Sequence, residues 1–533
     1  MHLHLSLGIS ELIILSMVLI YQRIRVASHC CLCVFFRKPL ILVWNAPTED
    51  CTPRHRVTLS LDQFYIVASP NEGFVRQNLT IFYKERLGLY PYYERGRTAV
   101  NGGLPQLASL TQHYEKMPEG VQKYIREAEA KGLAVIDWEE WRPLWIRNWD
   151  IKDVYRNKSR EQVALKNPTW SPEQVAKVAQ QEFELSARKF MLETLKYAKN
   201  LRPNQLWGFY LFPDCYNHDY RSGLENYTGT CPELEVTRND QLNWLWIECT
   251  ALYPSIYMGS TLRSTKYGRL FVRNRVKEAM RVASVGKGLT RPVFVYTRPT
   301  YINQTTPLSE MDLVSTIGES VALGAAGVIF WGDTSYASSA ASCSSLNKYL
   351  MGSLGHYLLN VSTAAELCSE SLCKSRGRCL RKEPDQDVYL HLSPSSYSIV
   401  SVSGQLKVNK ASGETELTHF RKHFQCQCYT GYRGEGCTQR EGRRNKAPSV
   451  MGGWHLCFML PLGLLLIVFY VGQALWFALF SSKVSVATVL CCTYFVWNSF
   501  DFFILIKQCQ TCLLNMPILM FYKTAVVTTK YIN

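Results

Sequence analysis

Between residues 40 and 359 the chain repeats one pattern, a short apolar or β-branched run followed by a longer stretch of helical character. The runs fall at 40–44, 63–67, 80–83, 134–139, 206–212, 252–257, 293–296 and 328–331, and the clearest helical stretches at 172–199, 270–283 and 311–323. A helix between two strands returns the second parallel to the first. The repetition therefore points to a parallel sheet with helices packed on it, closed into a barrel or open and doubly wound. The small residues Gly324-Ala-Ala-Gly327 before the last run suit tight helix-to-strand packing.

One run ends in chemistry. In Gly132-Leu-Ala-Val-Ile-Asp-Trp-Glu-Glu-Trp-Arg-Pro143 the strand residues lead into Asp137 and Glu139, two apart. Strand side chains alternate faces, so the two carboxyls point one way and Trp138 the other. Neighbouring carboxyls repel, which pushes one of them towards its protonated form. A neutral acid beside an anion is what cleavage of a glycosidic bond requires. The plainer reading is a strand end whose acids cap a helix or meet Arg142 and Arg147. Four tryptophans nearby, Trp138, Trp141, Trp145 and Trp149, shift the balance towards a sugar site, because indoles stack on sugar faces.

The stretch 133–150 resembles the acid motif of the animal hyaluronidases, the family-56 glycoside hydrolases. The resemblance runs from about Pro39 to Cys437 and includes Ser69-Pro-Asn-Glu-Gly-Phe74, Leu206-Trp-Gly-Phe-Tyr-Leu-Phe-Pro-Asp-Cys-Tyr-Asn217 and Leu308-Ser-Glu-Met-Asp-Leu313. It implies a distorted TIM-like (β/α) barrel over 39–360, chosen over the open sheet, with Asp137 and Glu139 at the C-terminal strand ends where such barrels keep their chemistry. By motif match it adds Tyr210 and Tyr257 to the catalytic set, and Tyr83, Arg142, Asp214, Ser255, Arg275 and Trp331 to the substrate groove. It further implies substrate-assisted catalysis. Glu139, protonated at rest, is the acid and later the base, Asp137 steadies the acetamido group that attacks its own anomeric carbon, and Tyr210, Tyr257 and Trp331 hold that group. Arg142 and Arg275 are candidates for the glucuronate carboxylates. No cofactor and no metal is called for, and His113, His218 and His356 are expected to pack or to face solvent.

Cysteines and charge extend the reading. The resemblance implies the pairs Cys51–Cys343 and Cys215–Cys231, with Cys249 left as a buried, inert thiol. The ending Cys426-Gln-Cys428-Tyr-Thr-Gly431-Tyr432-Arg-Gly434-Glu-Gly436-Cys437 resembles the close of an epidermal-growth-factor-like module over 361–438, for which the expected pairs are Cys368–Cys379, Cys373–Cys426 and Cys428–Cys437. Five Asn-x-Ser/Thr acceptors, Asn78, Asn157, Asn226, Asn303 and Asn360, join the cysteines in indicating a secretory-pathway protein. The net charge of +16 favours an anionic partner. Nucleic acid is the weaker choice, since no nucleic-acid-binding motif is present. A polyanionic glycan fits better, hyaluronan first and chondroitin second.

The ends read as targeting and attachment segments. Residues 1–28 hold an apolar core of signal-peptide length, to be cleaved near Val26-Ala27-Ser28 or kept as an anchor. A basic linker at 439–455 precedes an apolar stretch at 456–480 long enough to span a membrane, and a second one lies at 484–506. Attachment to a membrane is expected, through a true span or through a glycolipid at Ser449, Gly452 or Gly453. The resulting expectation is an endo-β-N-acetylhexosaminidase at the cell surface or in a lysosomal lumen. A surface hyaluronan-binding protein with little turnover is the alternative, against which the intact Asp137–Glu139 pair speaks. A chitinase-like enzyme fits less well, since the longer acidic motif of that family is missing.

Overall fold

The computed structural model describes residues 38–286, 290–410 and 415–440. The segments 1–28, 456–480 and 484–506, and nearly all of the basic linker, lie outside the described residues. No helix among the described residues is long and apolar enough to cross a membrane.

The strands are β1 (Ile41–Asn45), β2 (Ile66–Val67), β3 (Leu79–Tyr83), the hairpin β4 (Tyr92–Glu94) and β5 (Thr98–Val100), β6 (Gly132–Asp137), β7 (Gln205–Phe209), β8 (Phe294–Thr297) and β9 (Gly327–Trp331). Two parallel ladders form, in the orders β2-β1-β9-β8 and β3-β6-β7. Isolated parallel bridges join them, Tyr210 to Tyr253, Leu252 to Val293 and Ser255 to Tyr296. The run expected at 252–257 thus contributes only bridges, and its Pro254 has no N–H with which to extend a ladder. Among the described residues no ladder joins β2 to β3, so the expected closure of the barrel is not made by backbone pairing.

Side chains sort cleanly by strand face. Ile41 and Val43 of β1, Leu133 and Val135 of β6, Phe294 and Tyr296 of β8 and Ile329 of β9 share one inner cluster, which also takes Ile66 and Ala68 from one edge and Leu79 and Ile81 from the other. The alternate residues Leu42, Trp44, Ala134, Ile136 and Val295 belong to an outer cluster with the helices. The chief outer helix, Pro172–Leu201, begins with a capping box at Ser171 and Gln174 and buries Val175, Ala179, Phe183, Ala187, Phe190 and Leu195. That spacing is one helical face. It covers the back of the site strand.

The helix expected at 311–323 runs from Glu310 to Ala322 with helical dihedrals at each junction, widened by a π-turn at Val314–Gly318. Glu319, fully buried just after that turn, accepts from Arg273 at 2.8 Å and from Arg381. Arg381 belongs to β10 (Gly377–Arg381), which pairs with β13 (Phe424–Cys428) in the cysteine-rich part. Helix Ser353–Cys373 runs through the boundary expected at 360/361, so body and cysteine-rich part share a core. The insertion between Cys379 and Cys426 carries a hairpin of β11 (Tyr397–Val402) and β12 (Gln405–Lys410). The disulfides are Cys51–Cys343, Cys215–Cys231, Cys368–Cys379, Cys373–Cys426 and Cys428–Cys437, the same pairs that the resemblance implies. Cys249 is free and buried, and burial pushes its thiol up to about 12, which keeps it protonated.

Removing one member of a buried ion cluster leaves the others uncompensated. Glu319→Ala should therefore cost about 3–5 kcal/mol of unfolding free energy in a urea titration. A loss below about 1 kcal/mol, the range of exposed pairs, would show that the two guanidiniums do not depend on it.

Candidate active site

β6 carries the site, and its alternation decides which side chains meet. It continues past the last ladder residue, so Asp137 and Glu139 line the inner cavity while Trp138, 4 % exposed, joins the outer cluster. Tyr90 stacks on Trp138 with ring centroids 4.4 Å apart, and Phe190 and Phe209 close in at 5.8 and 5.9 Å. Turning the two carboxyls away from the cavity would pull this indole out of its packing. Trp138 is the peg that aims both acids.

The cavity holds about 210 Å³ and is lined by Ile81, Val135, Asp137, Glu139, Tyr210, Tyr257, Tyr296 and Trp331. Register explains the gathering. Tyr83 ends β3 directly beside Asp137, and the Tyr210 N–H just past β7 donates to the Ile136 carbonyl at 2.9 Å. Trp331 ends β9 and stacks on Tyr257 at 6.1 Å and 23°. Tyr296 meets Tyr210 edge-on at 5.0 Å. All of these sit at the C-terminal ends of their strands or bridges.

The two carboxyls live in different surroundings. Burial pushes Asp137 up to about 7, the Glu139 charge adds to the rise, and Arg142 offsets part of it. One Asp137 oxygen is buried with no hydrogen-bond partner among the described residues, a setting that favours the neutral acid. The Glu139 side chain is 49 % exposed and accepts from Arg142 Nη2 at 3.2 Å. Asp137 is thus the carboxyl whose surroundings favour the neutral form. Burial also raises the Tyr210 and Tyr257 phenols, which stay neutral and able to donate. Tyr83 is raised as well, by burial and then by Asp137.

The remaining expected residues divide. Arg142 reaches the cavity edge, its loop pinned by the buried Asn148, which accepts from the Arg142 N–H and donates to the Arg142 carbonyl, both at 2.8 Å. Arg275 is buried and committed to protein, with Nε donating to Asn217 Oδ1 at 3.0 Å, Nη1 to the Ser255 carbonyl at 2.9 Å and lying 3.2 Å from Asp214, and Nη2 beside His218 at 3.0 Å. Burial pushes Asp214 up, but Arg275 and Arg147 outweigh it and hold the carboxyl below its ordinary value. Arg275 and Asp214 therefore brace Ser255 and the rim from behind. Of the four tryptophans credited to a sugar face, Trp138, Trp141 and Trp145 are core residues on the outer face, and only Trp149 is exposed.

Tyr296 and Lys152 were not anticipated. Alternation within the run 293–296 places Tyr296 on the inner face with Phe294, so the signal for it existed. Nothing local marks Lys152, whose ammonium donates to the Glu139 carbonyl oxygen. His113 and His218 pack, and burial lowers each to about 4. Asn78, Asn157, Asn226 and Asn303 are exposed, whereas Asn360 is half-buried and its side-chain oxygen accepts from the Leu392 N–H at 3.1 Å.

A raised carboxyl loses its proton as pH climbs through its folded value, so kcat/KM should fall as pH rises through about 7. A profile flat to about pH 9, well beyond ordinary carboxyl values, would contradict this. The same shift means that the stability contributed by neutral Asp137 is lost over that range. Asp137→Asn should then raise Tm more at about pH 8 than at about pH 4, and an equal change at both would count against the burial argument.

Comparison with known proteins places this geometry. The family model described as "Hyaluronidase" matches residues 30–441. The chain is 51 % identical to Hyaluronidase-2 of Homo sapiens over 439 residues, covering 81 % of this chain and 93 % of that protein. It is 50 % identical to Hyaluronidase-2 of Rattus norvegicus over 435 residues, covering 80 % and 92 %. Among solved structures, bee venom hyaluronidase in complex with a hyaluronic acid tetramer matches with a TM-score of 0.51 at 29 % identity, over 60 % of this chain and 98 % of that one.

Proposed function

The chain belongs to the hyaluronidase family of glycoside hydrolases, and from that premise we propose that it cleaves hyaluronan internally, at β-1,4 bonds of N-acetylglucosamine, by a substrate-assisted retaining reaction. The observation that carries this reading is the pairing of a buried carboxyl near neutral with an exposed, arginine-bound one on a single strand face. A protein nucleophile would need a second carboxyl about 5 Å from the acid and across the sugar. Two acids on one face leave that far side to the substrate.

The acetamido oxygen then attacks the anomeric carbon as the bond to the leaving oxygen breaks. The proton held by the pair passes to that oxygen from Glu139, which Arg142 keeps at the cavity edge. Asp137, now ionised, accepts from the acetamido N–H while positive charge builds on the ring closed by the attack. Tyr210 and Tyr257 donate to the acetamido group, and Trp331 walls it from water. Water next attacks the anomeric carbon from the side the leaving group left, Glu139 takes its proton, and the acetamide is restored with the β configuration kept. Chondroitin presents the same acetamido chemistry, and its cleavage is part of the proposal.

The inner cluster shared by both sheet edges supports a closed TIM-like barrel over 39–360. The three cysteine pairs after Cys368 support an epidermal-growth-factor-like module over 361–438. Five disulfides with four exposed glycan acceptors support a location in the secretory pathway, at the cell surface or in a lysosomal lumen. Attachment to a membrane would fall to 456–480 or to a glycolipid.

Glu139→Gln should lower depolymerisation by about 10²-fold or more while hyaluronan still binds, and proton NMR on wild-type digests should show the β anomer before mutarotation. Substantial activity in the variant, or an α product formed first, would overturn the mechanism.

A further inference from the structure

The indole that aims the two acids is itself held by a buried group that the reaction does not use. His113 is fully buried on helix Leu110–Tyr124, 4.4 Å from the Phe190 ring and edge-on to Trp138 at 6.1 Å. Its hydrogen bonds fix its tautomer. The Leu89 N–H can only donate, so Nδ1 accepts from it at 2.8 Å and the ring proton sits on Nε2. Nε2–H then donates to Thr194 Oγ1 at 2.9 Å, and the Thr194 hydroxyl donates to the Phe190 carbonyl at 2.7 Å. Burial lowers the imidazole to about 4, which keeps it neutral, with one donor and one acceptor.

That bridge joins the two walls around Trp138. Leu89 is followed by Tyr90, which stacks on Trp138 at 4.4 Å. Thr194 lies one helical turn from Phe190, which closes on the same indole at 5.8 Å. The backbone of Gly88, at φ +64°, is laid on the imidazole, and a Cβ there would come within 2.4 Å of the ring. Only glycine lets the loop approach so closely in that conformation. An apolar side chain at 113 would fill the space but leave the Leu89 N–H without this acceptor. A polar bridge inside a core costs desolvation, and when every member is paired it supplies a fixed geometry.

We propose that His113 is a positioning residue for the acid pair. By tying Leu89 to helix Pro172–Leu201 through Thr194, it sets Tyr90 against Phe190 and so seats Trp138, whose packing aims Asp137 and Glu139. The inference rests on the catalytic reading of that pair and adds to it a residue outside the cavity lining.

Two substitutions at 113 test this. Glutamine can accept from the Leu89 N–H and donate to Thr194, whereas leucine can do neither. In His113→Leu, kcat on hyaluronan should fall by about 10²-fold, the loss that a misplacement of about 1 Å brings, while KM changes by less than about twofold. His113→Gln should recover most of that loss. The Asp137 carboxyl, followed by carbon-detected NMR, should titrate at a changed midpoint in His113→Leu and at the wild-type midpoint in His113→Gln. Glu319→Ala, which loosens the fold from the ion cluster instead, should alter neither kcat nor that midpoint. Should His113→Leu fail to fold, Thr194→Val removes the other end of the bridge, and its kcat should fall with KM kept. Folded His113→Leu or Thr194→Val with wild-type kcat, or His113→Gln as impaired as His113→Leu, would overturn the positioning role. Wild-type protein that leaves hyaluronan uncut would overturn the catalytic reading instead, and the Asp137 midpoint in His113→Leu would then decide for or against His113 alone.

Discussion

Everything at the site depends on the outward packing of Trp138. Beyond Asp137, the last residue that β6 pairs with β3, no ladder holds the chain, and a turn there would separate Asp137 from Glu139. The indole prevents it, held between Tyr90, Phe190 and Phe209 on the face away from the cavity. Phe190 comes from helix Pro172–Leu201, so the aim of the acids is set by a helix that never touches the cavity. Core packing and catalytic geometry are the same contact seen from two sides.

Given that aim, electrostatics divides the labour. The cavity walls are aromatic, and they strip water from Asp137 more than from Glu139. Arg142 bends back to Glu139 at 3.2 Å, while burial raises the inner acid, Asp137. Burying an unpartnered Asp137 oxygen costs free energy that the rest of the fold must offset. Strain of this kind at a site, offset elsewhere, is the usual pattern of functional residues.

What the sequence revealed was local or covalent. Period-two alternation put Asp137 and Glu139 on one face, and the family motif placed Tyr210, Tyr257 and Trp331, which the structure brings into one cavity. The cysteine pairs came from the family resemblance, and the structure forms the same five. What escaped it depended on distant packing. Three tryptophans that suit a sugar are absorbed by helix Pro172–Leu201 and the aromatic core, and no local pattern tells an indole which face will be covered. Arg275 sits on helix Lys266–Ala283, where Phe271, Arg273 and Arg275 are all buried, and its charge is spent on Asp214, Asn217 and Ser255. The contact of Arg142 with Glu139, three residues back, is a rotamer no spacing rule specifies.

The central claim is that Asp137 holds a proton near neutral pH because it is buried beside a charged Glu139. Carbon-detected NMR on protein labelled at aspartate carboxyls measures it directly. The account predicts an Asp137 resonance titrating at about 7 in the wild type, and at a lower pH in Glu139→Gln, where the neighbouring charge is removed. An Asp137 carboxyl that titrates near the ordinary aspartate value, or one whose midpoint ignores the Glu139→Gln change, would contradict it.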